Sequence, residues 1–200
     1  MLIETDGKLA RRVIAGKLLE NQEDTLLITG LSVANYDAVA AIGADAPHMF
    51  NMHGALGGAP MLGLGLALAQ PERRTMVIMG DFDALMGMRA LATIATQSPK
   101  NLSIAVFDNS ICAETGGQAT ATGEETGVDL AAIAKACNWK IARTVTKEED
   151  VDQAIEDLQT AEGPVYINFK VSPIHPGPLK KSRDAVANKL RFRKALLGEE

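Results

Sequence analysis

Three short apolar runs limit the folds that are open to this 200-residue chain. They cover residues 75–80 (TMVIMG), 102–107 (LSIAVF) and 165–171 (VYINFKV). The apolar residues are nearly continuous rather than alternating, which is typical of parallel strands that are covered on both faces. Residues 25–31 (TLLITGL) have the same character, and 140–145 are a further candidate strand. The chain is therefore expected to contain a buried parallel sheet.

Helical patterns fill the segments between these runs. Leu9, Val13, Ile14 and Leu18 recur at helical spacing near the start of the chain. Further helices are predicted over 33–42, 58–69, 85–96, 130–136 and 148–158, and a basic helix is predicted around Val186, Leu190 and Leu197. This alternation predicts an α/β fold, a doubly wound and mostly parallel sheet flanked by helices. We expect one domain over 1–175, with the basic helix appended over 176–200.

Composition and charge exclude several classes of protein. The net charge of −5 argues against a nucleic-acid binder, although residues 180–200 carry seven Lys or Arg against three Asp or Glu. Two cysteines are too few for a disulfide framework and indicate a reducing, cytoplasmic compartment. No secretory signal is recognised. The uncharged stretch 46–71 holds His, Pro and many Gly residues, so a loop followed by a core helix is expected there rather than a membrane span.

Polar side chains follow two of the predicted strands at the point where each strand ends. Asp81 and Asp83 come directly after residues 75–80, and Asp108, Asn109 and Ser110 come directly after 102–107. Asp81 and Asn109 are 28 residues apart (109 − 81), the length of one strand–helix–strand crossover, so both are expected at the same edge of the sheet. Carboxylate and amide oxygens suit Mg²⁺ completed by phosphate oxygens.

Each of these polar groups also has a simpler explanation. Asp81 and Asp83 could cap the following helix, and Asp108 and Asn109 could form a turn. The occurrence of both groups at matching strand ends, one crossover apart, favours a metal–phosphate site over two independent structural roles.

The same residues carry a family resemblance. Gly80-Asp81, followed after 28 residues by Asn109, resembles the signature of the thiamine diphosphate-dependent decarboxylase superfamily. Residues 53–81 resemble the stretch that precedes this signature in the superfamily. The runs 63–71 (GLGLALAQP), 90–102 (ALATIATQSPKNL) and 108–123 (DNSICAETGGQATATG) most resemble sulfopyruvate and phosphonopyruvate decarboxylases. The resemblance covers about residues 25–175 and implies the diphosphate-binding domain of such an enzyme.

The resemblance implies a role for particular residues. The side chains of Asp81 and Asn109, with the Ile111 carbonyl, would ligate Mg²⁺, and backbone N–H groups around Phe82 and Asp83 would meet the diphosphate. Leu56 would support the bent cofactor, and the Gly54 carbonyl would accept from its aminopyrimidine. The residues expected to contact the cofactor are Gly30, Ser32, Gly54, Leu56, Gly80, Asp81, Phe82, Asp83, Asn109 and Ile111.

The chain also departs from the family pattern. Phe82 stands where a glycine usually follows the metal-binding Asp, Asp83 stands where decarboxylases prefer a small residue, and Ser110 replaces a more usual glycine. Phe82 could point away while its N–H serves, or it could reshape the cofactor site. His53 could face the substrate and act in catalysis, or it could cap a turn. Cys112 could be a nucleophile or a small packing residue, and Glu114, Thr115 and Gln118 could line a substrate pocket.

The family also implies a partner. The Glu that activates the cofactor belongs to a pyrimidine-binding domain, which nothing in residues 1–50 resembles, so a separate subunit of a hetero-oligomer is expected to supply it. The leading interpretation is one subunit of a 2-oxoacid decarboxylase acting on a small anion such as 3-sulfopyruvate or phosphonopyruvate. The alternatives are a subunit of a 2-oxoacid oxidoreductase and a non-catalytic subunit whose cofactor site is degenerate. No nucleic-acid or membrane partner is expected.

Overall fold

The computed structural model describes residues 6–31, 33–52, 54–123, 127–174, 177, 179 and 184–198. A six-stranded sheet forms its centre. The strands are β1 (Leu26–Thr29), β2 (Met49–Asn51), β3 (Thr75–Gly80), β4 (Leu102–Asp108), β7 (Ile141–Val145) and β8 (Val165–Lys170). Their order is β2-β1-β3-β4-β8-β7, and every neighbouring pair is parallel. A separate antiparallel pair joins β5 (Ile111–Cys112) to β6 (Gln118–Ala119).

Helices cover both faces of the sheet, each over its own apolar cluster. One face carries α1 (Arg11–Leu19), α2 (Val33–Ile42) and α7 (Val151–Thr160). The other carries α3 (Ala59–Ala69), α4 (Asp81–Met86), α5 (Ala90–Gln97) and α6 (Leu130–Ala136). Residues of β3 and β4 contribute to both clusters because their side chains alternate between the two faces. The predicted doubly wound parallel α/β fold is confirmed.

The strand order creates a crevice beside β1. From β1 the chain passes outward to β2 and then returns to β3 on the other side of β1, so the direction of winding reverses between β1 and β3. In open parallel sheets, ligands bind at such a reversal, beyond the carboxyl ends of the strands. The next crossover places β4 beside β3 with Gly80 opposite Phe107, so the predicted polar strand ends do lie on neighbouring strands.

The single helix predicted over 85–96 is wrong, because the chain folds there as two helices. α4 begins at Asp81 and ends at Met86, and α5 begins at Ala90. The reason is a close approach of two glycine backbones. A Cβ on Gly87 would lie 2.7 Å from the Gly57 carbonyl oxygen, so the loop after β2 packs against the end of α4.

The short strand β2 was not predicted either. It lies inside the stretch 46–71, which otherwise forms the expected loop and core helix α3. Three residues are too few to show a period, and β2 forms only because it pairs in register with β1. Among the residues described, no helix combines the length and the apolar character that crossing a bilayer requires.

The C-terminal helix α8 (Ala185–Leu197) forms as predicted, but the three apolar residues from which it was predicted are exposed. Val186, Leu190 and Leu197 are exposed, whereas Asn188 and Phe192 are buried. The Phe192 ring lies 5.5 Å from that of Phe50. The docked face of α8 therefore combines an aromatic contact with a polar side chain, Asn188, that reaches the backbone of the edge strand β2.

Asn188 covers the free edge of β2. Its Nδ2 donates to the Asn51 carbonyl at 2.9 Å, and its Oδ1 accepts from Arg191 Nη2 at 2.9 Å. Asn51 in turn ends β2, directly before the loop that leads into α3. The helix therefore anchors the strand end from which that loop starts.

We expect Asn188→Ala to lower the free energy of unfolding by about 1–3 kcal/mol, because it leaves a buried carbonyl without its donor. Leu190→Ala on the exposed face of α8 is the matched control, with an expected change within about 0.5 kcal/mol. Urea unfolding measures both, and limited proteolysis reports release of α8. Equal effects of the two substitutions would contradict this role of Asn188.

Candidate functional site

A narrow cavity lies at the carboxyl ends of β1, β3 and β4, and it brings together most of the predicted residues. Its lining residues are Leu31, Val33, Leu56, Gly80, Asp81, Phe82, Asp83, Asn109, Ile111, Cys112 and Glu114. Gly30 lies next to the cavity, behind Asp83. Gly54 is exposed in the loop after β2, with a φ of 76°, and is not part of the lining. Ser32 and His53 lie outside the described residues.

Three oxygen-bearing groups converge in this cavity. The Asn109 amide nitrogen, in the orientation that satisfies it, donates to the Ile111 carbonyl at 3.0 Å and to Asp81 Oδ1 at 3.1 Å. Turning the amide over would place its oxygen against these same two oxygens. Adjacent oxygens of octahedral Mg²⁺ are about 3.0 Å apart, since each lies about 2.1 Å from the ion. The spacing of these groups therefore fits a magnesium ion.

Asp81 follows β3 and is buried, with 1% of its surface exposed. Its Oδ2 accepts hydrogen bonds from the hydroxyls of Thr120 and Thr122. Burial raises the pKa of the Asp81 carboxyl to about 6, and the nearby charge of Asp108 adds to this effect. In the described residues no cation forms an ion pair with Asp81, and no three His, Cys, Asp or Glu side chains cluster as metal ligands. Ionisation of the buried Asp81 carboxyl is therefore unfavourable unless a cation binds next to it.

Asp83 has a different role, because its carboxylate binds backbone rather than facing Asp81. Its Oδ2 accepts from the Leu31 N–H at 3.0 Å, and its Oδ1 accepts from the Gly57 N–H. Asp83 therefore joins the loops that follow β1 and β2. Burial raises the pKa of its carboxyl, while these two N–H groups act in the opposite direction. This arrangement explains how an acid can occupy a position where decarboxylases prefer a small residue.

Asp108, at the end of β4, is compensated by a lysine. Its Oδ2 lies 2.8 Å from Lys170 Nζ and accepts from Asn168 Nδ2 at 3.1 Å. Its Oδ1 accepts from the Thr122 hydroxyl at 2.8 Å. Lys170 and Asn168 belong to β8, which pairs with β4 so that Asp108 lies opposite Lys170.

The sequence analysis missed Thr120, Thr122, Asn168 and Lys170. Asn168 and Lys170 interrupt an otherwise apolar strand at alternate positions, and this pattern could have identified them. The two threonines carry no such signal. They reach Asp81 through the hairpin of β5 and β6, in which the Thr120 N–H donates to the Ser110 carbonyl.

The other two departures from the family pattern, Phe82 and Ser110, have different structural settings. Phe82 lies in the first turn of α4, where the backbone is helical and needs no glycine, and its half-buried side chain lines the cavity. Ser110 has a φ of 60°, in the left-handed region that favours glycine. The Ser110 hydroxyl and N–H both donate to Asp108 Oδ1, which gives the serine its own role in the turn.

The remaining candidates lie in or next to the hairpin of β5 and β6, and only two of them line the cavity. Cys112 is buried and Glu114 is exposed, and both contribute to the lining. Thr115 and Gln118 are exposed and hydrogen-bond to one another, with the Thr115 hydroxyl donating to Gln118 Oε1 at 2.7 Å. This contact gives the second pair a structural role in the hairpin.

We expect Gly30→Ala to lower the free energy of unfolding by about 1–3 kcal/mol, the cost of overpacking a filled site. A Cβ on Gly30 would overlap Asp83 Oδ2 and lie 2.9 Å from the Met79 Cβ. Gly65→Ala on α3 is the control, since nothing lies within 4 Å of its added methyl group and a gain of about 0.5–1 kcal/mol is expected. Chemical unfolding measures both, and a Gly30→Ala protein as stable as the unsubstituted chain would refute the close contact with Asp83.

Comparison with known proteins supplies independent information. The family "Thiamine pyrophosphate enzyme, C-terminal TPP binding domain" matches residues 31–169. Sulfopyruvate decarboxylase subunit beta of Methanothermobacter thermautotrophicus is 36% identical over 151 residues, which cover 76% of each chain. Phosphonopyruvate decarboxylase of Streptomyces hygroscopicus is 38% identical over 135 residues, which cover 68% of this chain. This chain spans about a third of the length of that second relative (32%).

Solved structures agree on the fold. Benzoylformate decarboxylase from Polynucleobacter necessarius superposes with a TM-score of 0.72 at 18% identity, over 86% of this chain and 34% of that one. At this identity the similarity concerns the fold alone. The match to the family model covers most of the chain, and it includes β3, β4 and the residues that converge between them. The chain therefore belongs to the thiamine pyrophosphate enzyme family and carries its C-terminal TPP-binding domain.

Proposed function

We propose that this chain is the diphosphate-binding subunit of a thiamine diphosphate-dependent 2-oxoacid decarboxylase, and that it acts on a small anionic substrate such as 3-sulfopyruvate or phosphonopyruvate. The observation that carries the proposal is the convergence of Asp81, Asn109 and the Ile111 carbonyl at the ends of two neighbouring parallel strands. The relatives that resemble this chain at 35–38% identity are named phosphonopyruvate or sulfopyruvate decarboxylases, which supports the reaction class.

These three groups would hold Mg²⁺, and the ion would bind the diphosphate of the cofactor. The bound cofactor supplies an electron sink for the carbanion that remains when CO₂ leaves. The protein's share is to orient the cofactor and to exclude water. Leu56 and Phe82 provide apolar surface in the cavity, and the backbone N–H groups of Phe82 and Asp83 in the first turn of α4 would face the diphosphate.

The partner subunit is part of the proposal. Three of the relatives are named subunit beta, and this chain covers 70–86% of the length of each. The phosphonopyruvate decarboxylases that it matches are about three times as long as the shared region. We propose that a separate pyrimidine-binding subunit supplies the activating Glu, so that the active site forms between two subunits of a hetero-oligomer. A cytoplasmic location remains a prediction.

Two alternatives make different predictions. A 2-oxoacid oxidoreductase subunit would bind the same cofactor and metal but would pass electrons to an acceptor instead of only releasing CO₂. A non-catalytic subunit would bind neither, because Phe82 would fill the space of the cofactor. The names of the relatives favour decarboxylation over both.

Cofactor binding is tested by thermal unfolding of the full chain with and without thiamine diphosphate and Mg²⁺. At a hundredfold excess over Kd, binding adds about 2.7 kcal/mol, which corresponds to a Tm increase of about 5–10 °C for a chain of this size. The chain is measured alone and with a co-expressed pyrimidine-binding subunit. No increase in either case would exclude both enzyme interpretations and favour the non-catalytic one.

Asp81→Asn keeps the shape of the side chain but removes its charge, and this variant has two expected effects. It abolishes the cofactor-dependent increase in Tm, because an uncharged amide replaces the carboxylate ligand. It also stabilises the cation-free chain at pH 7–8 by about 1–3 kcal/mol. The folded carboxyl keeps its proton up to pH about 6, whereas the unfolded one ionises near pH 4, so stability falls as the pH rises between these values. Normal cofactor binding by Asp81→Asn would refute the metal site.

The reaction is tested on the complex of the two subunits. We expect cofactor-dependent CO₂ release from 3-sulfopyruvate or phosphonopyruvate that exceeds release from pyruvate, without any added electron acceptor. CO₂ release that requires an acceptor would instead identify an oxidoreductase. Substrate consumption and CO₂ are measured in the same samples, so that the two reaction types are distinguished directly.

A further inference from the structure

We propose that Thr122 is a positioning residue for the metal-ligating carboxylate of Asp81, and that Lys170 and Asp108 hold Thr122 in place. The inference rests on the proposed function, because it takes Asp81 to be a metal ligand. Thr122 contacts Oδ2 of Asp81, whereas the Asn109 amide contacts Oδ1, so Thr122 is linked to the proposed metal site through the Asp81 carboxylate.

The two oxygens of Asp81 have separate partners. Oδ1 faces the Asn109 amide at 3.1 Å, on the side where the metal would lie. Oδ2 accepts from the hydroxyls of Thr120 and Thr122, the second at 3.2 Å. A carboxylate can rotate about its Cβ–Cγ bond, and hydrogen bonds to one oxygen fix the direction of the other. The two threonines thus direct Oδ1 toward the Asn109 amide.

Thr122 lies between two buried carboxylates. Its Oγ1 is 2.8 Å from Asp108 Oδ1, 3.2 Å from Asp81 Oδ2 and 3.0 Å from Thr120 Oγ1. A hydroxyl carries one proton, so Thr122 shares it between the two carboxylates, and the shorter distance is the one to Asp108. Thr122 is itself buried, with 3% of its surface exposed. Without this hydroxyl, the carboxylates of Asp81 and Asp108 would face one another across an apolar gap.

Lys170 fixes both ends of the Thr122 contact with Asp108. Its Nζ lies 2.8 Å from Asp108 Oδ2 and donates to the Thr122 carbonyl at 2.6 Å. One ammonium group therefore holds the acceptor carboxylate and the backbone of the residue that donates to it. Lys170 also neutralises Asp108. Of the two carboxylates beside Thr122, only Asp81 therefore has no cation among its described partners.

The test compares Thr122→Val, which removes the hydroxyl at nearly constant shape, with Thr122→Ser, which keeps it. Mn²⁺ replaces Mg²⁺ because the electron paramagnetic resonance signal of the free ion reports binding to the full chain directly, with thiamine diphosphate present. We expect Thr122→Val to weaken Mn²⁺ binding by about 10- to 100-fold, the usual loss when an outer partner of a ligand is removed. Thr122→Ser should stay within about threefold of the unsubstituted chain.

Thr25→Val is the control for removing a buried threonine hydroxyl elsewhere in the fold. Thr25 directly precedes β1, at the end of the sheet opposite Asp81, and its hydroxyl donates to Gln22 Oε1 at 2.9 Å, so Mn²⁺ affinity should not change. Far-ultraviolet circular dichroism verifies that each variant folds. If Thr122→Val does not fold, Thr122→Ala takes its place, because it removes the same hydroxyl and the same loss of affinity is expected.

Three results would overturn the proposal. Unchanged Mn²⁺ affinity in the folded valine variant would show that the hydroxyl does not position Asp81. Equal losses in Thr122→Ser and Thr122→Val would assign the effect to packing of the side chain. An unsubstituted chain that binds no Mn²⁺ in the presence of thiamine diphosphate, either alone or with the co-expressed pyrimidine-binding subunit, would remove the proposed function itself, and this inference with it. Only that last result concerns the proposed function, so the two failures are distinguishable.

Discussion

Burying carboxylates at the carboxyl edge of a parallel sheet is the constraint on which the rest of this site depends. Asp81, Asp83 and Asp108 are each about 1% exposed, and a buried charge needs a partner. Asp83 obtains two backbone N–H groups, and Asp108 obtains the ammonium of Lys170. Asp81 obtains hydroxyls and an amide, which carry no charge. Neither Asp81 nor Asp83 has a cation among its described partners, and Asp81 is the one of the two that faces the Asn109 amide, where the proposed cation would bind.

The sheet and its loops hold these carboxylates in place, because the contacts between them join distant parts of the chain. β3, β4 and β8 lie side by side, so Asp81, Asp108 and Lys170 end neighbouring strands. Asp83 joins the loops after β1 and β2, and the Gly57–Gly87 contact joins the second of these loops to the end of α4. The loops after β1 and β2 are therefore both hydrogen-bonded to Asp83, and the second loop also packs against the end of α4.

The buried carboxylate of Asp81 lowers the stability of the free chain and would favour the binding of a cation. An uncompensated carboxylate in the core lowers the stability of the chain in the absence of a cation, and sites that bind ligands often carry such a cost. The two apolar clusters on the faces of the sheet and the docking of α8 on the edge of β2 offset it. The same buried charge that destabilises the free chain would provide affinity for the metal.

The sequence by itself determined the fold class, because continuous apolar runs and crossover spacing are local properties that survive without any tertiary contact. It also brought Asp81 and Asn109 to one edge of the sheet, since parallel strands end together. Only the tertiary structure decided what each acid binds: the sequence does not show that Asp83 accepts from the N–H groups of two loops, whereas Asp81 accepts from two hydroxyls. Lys170 is visible in the sequence as a polar interruption of an apolar strand, but its ion pair with Asp108 depends on the pairing of β8 with β4, and Thr122 reaches Asp81 only through the hairpin of β5 and β6. The exposed apolar face of α8 has the same origin, because the docking surface is a strand edge that periodicity does not describe.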